Sequence, residues 1–127
     1  MKKNILVVED FQSIRDYLCK FLESKGYTTF QAIDGEQALE MLANGDINLV
    51  LSDYNMPKVN GMDLLKRIKE NPDHQNIPVI FLTSEEDLNL MKKAREAGLF
   101  AWIKKPYDSR NFLATLDRAL DSGRVSA

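Results

Sequence analysis

Ile5-Leu-Val-Val8 followed at once by Glu9-Asp10 is the stretch on which the fold turns: four apolar residues with no polar alternation, closed by two acids. A strand wetted on one face alternates apolar and polar residues. One covered on both faces reads as an unbroken apolar run, which is the mark of a parallel sheet with helices on both sides. Three more runs repeat the pattern: Leu49-Val-Leu51 ends in Ser52-Asp53, Val79-Ile-Phe-Leu82 in Thr83, and Trp102-Ile103 in Lys104-Lys105-Pro106. Parallel strands all end at one edge of their sheet, where open α/β sheets place their active sites. The four endings therefore make one candidate site with three acids, a hydroxyl and an amine.

Outward from these runs, strand and helix signals alternate five times. A strand over Asn4 to Val8 precedes a helix from about Phe11 to Ser24, with Ile14, Leu18, Phe21 and Leu22 on one face and Gly26 as its stop. A strand over Thr28 to Ala32 leads to Asp34-Gly35, which opens a helix carrying Ala38, Leu39 and Leu42 inward until Asn44-Gly45-Asp46. After the strand Leu49 to Asp53 comes the irregular Asn55 to Gly61, then a helix with Leu64, Leu65 and Ile68 inward, and a loop bracketed by Pro72 and Pro78. The strand Val79 to Thr83 precedes a helix over about Asp87 to Glu96 that turns Leu90, Met91, Ala94 and Ala97 to the core and is closed by Gly98. A short strand, Ala101 to Ile103, is followed by a helix from Ser109, read as its N-cap, to about Leu120, with Phe112, Leu113, Leu116, Ala119 and Leu120 on one stripe and a frayed tail beyond. Met62 and Leu88 fall off the stripes of their helices.

The pattern predicts a doubly wound α/β fold, (βα)5, with helices on both faces through right-handed crossovers. No Gly/Ser/Pro-rich linker divides the chain, so residues 1–127 read as one domain with its core over about 3–120. With 17 basic and 19 acidic residues the formal charge is -2, which gives no electrostatic reason to expect a nucleic-acid partner. Four apolar residues after Met1-Lys-Lys-Asn4 are too few for a signal-peptide core or a membrane span, so the expected location is the cytoplasm. Cys19 stands alone, excluding an internal disulfide and a cysteine-rich zinc site, and His74 sits in a polar loop.

Glu9, Asp10 and Asp53 come from two strands expected side by side at the centre of the sheet. Two unit charges about 4 Å apart repel by roughly 4 kcal/mol at an effective dielectric near 20. A shared proton, Lys105 or a hard divalent cation can offset this, and an all-oxygen, mostly carboxylate site suits magnesium, which keeps several of its waters and leaves positions for phosphate oxygens. Phosphoryl transfer to Asp53 would need its equatorial oxygens stabilised by a cation, an ammonium and a hydroxyl. Lys105 and Thr83 supply the last two. Taken singly, each residue has a plainer reading, as an N-cap or a surface lysine.

Together, Val7-Val-Glu-Asp10, Asp53-Tyr-Asn-Met-Pro57 with Gly61 beyond, Leu82-Thr-Ser84 and Lys104-Lys-Pro106 resemble the receiver domain of two-component response regulators, over about Lys3 to Leu120, and in particular the single-domain, CheY-like members. The resemblance implies a flavodoxin-like sheet of strand order 2-1-3-4-5. It also implies Asp53 as phosphoacceptor, magnesium held by Asp10, Asp53 and the Asn55 backbone carbonyl with Glu9 acting through water, Thr83 moving onto the phosphate, and Lys105 pairing with it. Pro106 would follow a cis bond that aims Lys105 inward. Glu9 stands where the family usually has aspartate, and Trp102 where it has a Tyr or Phe switch residue.

The implied protein is a monomeric, magnesium-dependent regulator, with chemotaxis or motility and a phosphorelay as its candidate processes. A sensor histidine kinase or a histidine phosphotransfer protein would phosphorylate it, and it would act on a protein target through the face formed by helix four, strand five and helix five, where Leu88 is a candidate contact. The same residues allow a receiver cut from a larger regulator or hybrid kinase. They also allow an aspartate-nucleophile phosphohydrolase, although such an enzyme wants a second acid where Asn55 stands, and self-catalysed transfer with slow dephosphorylation is the expected limit of turnover. A flavin binder is disfavoured because Glu9-Asp10-Phe11 presents acids where a phosphate cradle is needed.

Overall fold

The computed structural model describes residues 3–56 and 58–125, so Pro57 lies outside the described residues. The elements are β1 (Asn4–Val8), α1 (Gln12–Ser24), β2 (Thr28–Ala32), α2 (Gly35–Asn44), β3 (Leu49–Ser52), α3 (Gly61–Glu70), β4 (Val79–Thr83), α4 (Leu88–Glu96), β5 (Ala101–Lys104) and α5 (Ser109–Val125). All four strand pairings are parallel, and the order is β2-β1-β3-β4-β5. This is the doubly wound, flavodoxin-like architecture.

Strand alternation sorts the apolar runs into two cores. Leu6, Val8, Val50, Val79 and Phe81 face one side, where α2, α3 and α4 cover them with Ala38, Leu42, Leu64, Leu65, Ile68 and Ala94. Ile5, Val7, Leu49, Leu51, Ile80 and Leu82 face the other, under Leu18, Cys19 and Leu22 of α1 and Phe112, Leu116 and Ala119 of α5. The inner strands β1, β3 and β4 are therefore dry on both faces, which is why their sequences do not alternate, while the edge strands β2 and β5 are partly exposed.

Several expectations are corrected. Met62 is buried, because α2 packs against α3 and covers the flank on which it lies. In α4 only Ala94 is fully buried, and Leu90 and Met91 are half-buried. The helix joins the core through Ala94. Asp87 precedes α4 as its N-cap, accepting from the Asn89 and Leu90 amides. At α5 the capping oxygen belongs to Asp108, which accepts from Arg110 N at 2.9 Å, and not to Ser109. The backbone of α5 continues to Val125, past the predicted end at Leu120. No helix among the described residues is long and apolar enough to cross a membrane.

Candidate functional site

The ends of β1 and β3 lie side by side. The Asp53 amide donates to Val8 O at 3.1 Å, so the chain leaves β3 hydrogen-bonded to the residue before Glu9. Glu9 is itself held at both backbone groups: its amide donates to Ala32 O at 3.0 Å, and its carbonyl accepts from Arg15 Nη1 at 2.7 Å. Asp53 Oδ1 accepts from the Asn55 amide at 3.2 Å, the local turn that aspartate favours. Asn55 is exposed, and here it presents its N–H to the carboxylate.

Gly61 is needed for close approach. Its amide donates to Tyr54 O at 2.8 Å, and a Cβ there would lie 2.8 Å from Tyr54 Cα and 3.0 Å from Asp53 O. Both are backbone atoms, so any side chain would push the loop that carries Asp53 away from α3. Gly61→Ala should cost about 2 kcal/mol in urea unfolding, in the range of overpacked sites, and should displace Asp53. Unchanged stability would contradict this contact.

Thr83 ends β4 and is fully buried; its Oγ1 accepts from the Glu85 amide at 3.2 Å. Lys105 is tied to the same strand end, its amide donating to Thr83 O at 2.9 Å, and the Lys105–Pro106 bond is cis. The neighbouring Lys104 diverges from it to pair with Glu86. Trp102 lies on Tyr54 and Phe81, with ring centroids 5.7 and 5.6 Å away, and its indole N–H donates to Glu85 O at 3.0 Å. Leu88, at the start of α4, is 78% exposed.

The acids act on one another electrostatically. The Glu9 carboxyl is pushed up to about 7, first by burial, then by the Asp53 charge; Lys105 pulls it back down in part, and a hydrogen bond with Asp53 and the charge of Asp10 raise it further. Burial beside the Asp53 charge thus favours the protonated form of Glu9. Even so, Glu9 Oε1 and Asp10 Oδ1 are buried with no hydrogen-bond partner. Each such oxygen costs on the order of 1–3 kcal/mol unless something else meets it. The donors are hard carboxylate oxygens, which fits magnesium. Among the described residues no three acidic, histidine or cysteine side chains gather closely enough to ligate one ion together. The fit is therefore to a cation held by one or two carboxylates and its own waters.

Two residues here were missed in the sequence. Arg15 is only 8% exposed, and Tyr54 joins Phe81 and Trp102 in an aromatic cluster. Arg15 was detectable: with Leu18, Cys19 and Leu22 it completes the i, i+3, i+4, i+7 spacing of a buried helix face.

Residues 5–117 match the sequence model of the response regulator receiver domain. The chain is 35% identical over 118 residues to chemotaxis protein CheY-3 of Vibrio cholerae, covering 92% of this chain and 91% of that one. It is 36% identical over 108 residues to sporulation initiation phosphotransferase F of Bacillus subtilis, covering 85% and 86%. A CheY-like response regulator receiver domain protein from Methanospirillum hungatei superposes with a TM-score of 0.92 at 28% identity, over 100% of both chains.

Proposed function

We propose, from the premise that this chain belongs to the response regulator receiver domain family, that it is a magnesium-dependent phospho-switch whose acceptor is Asp53. The observation that carries the reading is the pair of buried, unpartnered oxygens on Glu9 and Asp10 beside a carboxylate and an ammonium. Residues 1–127 would act as one receiver domain with its core over about 3–120, monomeric and cytoplasmic. The donor would be the phosphohistidine of a sensor kinase or a histidine phosphotransfer protein, in keeping with the phosphotransferase named among its relatives.

Magnesium, held by Asp10 and Asp53 with the Asn55 carbonyl and with Glu9 through water, would supply positive charge to the phosphoryl oxygens. That charge would offset the repulsion among the acids, and an Asp53 oxygen would attack phosphorus. The new O–P bond forms as the P–N bond to the donor imidazole breaks, and the imidazole takes up a proton. Lys105, its stem lining an apolar hollow with Ile14, Leu18 and Leu82, holds its ammonium toward the transferred group. Asn55 offers no carboxyl to act as a general acid, which disfavours rapid turnover and favours a phosphoryl group that persists as a signal.

The switch follows from Glu85, whose backbone is held at both ends: its N–H by Thr83 Oγ1 and its C=O by Trp102 Nε1. When Thr83 turns its hydroxyl to the phosphate, it gives up the Glu85 amide. The Trp102 bond remains. The indole already lies inward with its N–H satisfied, so Trp102 acts as a pin about which residues 84–87 pivot. That motion would shift the Lys104–Glu86 pair and exposed Leu88 on the face of α4, β5 and α5 that meets the target protein.

The test is incubation with acetyl phosphate or phosphorylated kinase in magnesium, with mass spectrometry of the intact protein. A gain of one phosphoryl group, lost when magnesium is chelated, supports the reading; none in either condition sinks it. Thr83→Ala should still accept phosphoryl groups but lose most of the phosphorylation-dependent gain in target binding, measured by capture with and without beryllium fluoride. Equal gains in wild type and variant would contradict Thr83 as the sensor.

A further inference from the structure

The least explained charge in the molecule is Arg15. Its guanidinium is buried under α1, and neither ion pair among the described residues includes it. Burying an unpaired cation costs several kcal/mol, and an apolar residue would serve this helix face better if packing were all that was required. Its donors show where the charge is used. Nε donates to Gln31 Oε1 at 3.0 Å, anchoring the fork to β2, and Nη1 donates to Glu9 O at 2.7 Å in a buried position.

That carbonyl belongs to the peptide joining Glu9 to Asp10, so it sits between the two residues whose carboxylates carry unpartnered oxygens. A charge-assisted hydrogen bond is roughly twice as strong as a neutral one and more directional when it comes from a planar fork. With the Glu9 amide fixed on Ala32 O, the Arg15 bond fixes the other end of the residue. The orientation of this peptide determines where the Glu9 and Asp10 side chains leave the backbone.

We propose that Arg15 is a positioning residue for the cation site: through the Glu9 carbonyl, and braced by Gln31, it fixes the peptide that aims the Glu9–Asp10 acid pair. It touches neither the metal nor the phosphoryl group. The inference rests on the reading of that pair as the magnesium site, and the test separates the two. Magnesium binding to the full chain is measured by calorimetry for the wild type, Asp10→Asn, Arg15→Met, Arg15→Lys and Gln31→Leu, with circular dichroism to confirm folding.

Outer partners of metal ligands typically contribute 10- to 100-fold in affinity, so Arg15→Met should weaken magnesium binding by about 10-fold, with Arg15→Lys recovering part of the loss. Should Arg15→Met not fold, Gln31→Leu, which alters an exposed side chain, should still weaken binding by about 3-fold, in proportion to the loss of one anchor. Faster hydrogen exchange at the Asp10 amide in these variants would accompany the loss. Wild-type magnesium affinity in folded Arg15→Met, or in Gln31→Leu if the former does not fold, overturns the proposal and leaves Arg15 a structural residue only. Failure of the wild type to bind magnesium, or equal binding by Asp10→Asn, overturns the site reading beneath it.

Discussion

Asp53→Asn will take up no measurable phosphoryl group from acetyl phosphate or a phosphorylated kinase, a loss of at least about a thousandfold, or roughly 4 kcal/mol of transition-state stabilisation. Asparagine is nearly isosteric and can still accept the Asn55 amide that Asp53 Oδ1 accepts at 3.2 Å, so the loop turn survives. The nucleophilic oxygen does not. The same change removes a charge that raises Glu9, so the metal-free variant should melt higher than the wild type and is not inactive for want of folding. Intact-protein mass spectrometry with a thermal melt reads both effects. Equal labelling of wild type and Asp53→Asn would place the acceptor elsewhere and remove the basis of the switch.

The second large effect is on stability. In the folded, metal-free protein Glu9 is raised from its ordinary 4.5 to about 7. A carboxyl raised on folding binds its proton more tightly in the native state than in the unfolded chain. Its contribution is therefore fully present below about pH 4.5 and is lost as pH rises through about 7. At 1.36 kcal/mol for each pH unit, the loss amounts to up to about 3 kcal/mol by pH 8. A domain of this size should melt several degrees lower at pH 8 than at pH 5.5 in chelator from this group alone. Glu9→Gln should flatten that dependence and raise the melting temperature at pH 8, and magnesium should restore the wild type there by offsetting the Glu9 charge. A Glu9→Gln protein with the wild-type pH profile would place the titration on another group.

Much of this was legible before any coordinates. The unbroken runs at Ile5 and Val79 required strands covered on both faces, and the glycines and prolines between runs set most boundaries within a residue or two. The convergence of the strand endings was legible because a parallel sheet brings every strand ending to one edge, so the four polar endings had to meet wherever the strands paired. Met62 and the inward residues of α4 were misread because helical periodicity gives the direction a side chain takes, and not how closely the next layer approaches it. For Met62 that approach comes from α2, and α4 reaches the core through Ala94 while Leu90 and Met91 stay half-buried.

The chain alone, then, determined a doubly wound α/β domain with three acids, a threonine and a lysine at its carboxyl edge, because those facts depend on local pattern and on the common polarity of parallel strands. Only the tertiary structure decided that burial and the Asp53 charge raise Glu9, that two acid oxygens are left unpartnered, that Gly61 bears on the loop that carries Asp53, that Trp102 and Thr83 hold the two ends of Glu85, and that a buried arginine grips the Glu9 carbonyl. Each of these is a contact between residues distant in sequence or a backbone group whose partner the residue types do not name, and burial sets its strength. Neither the partner nor the burial exists until the layers have packed.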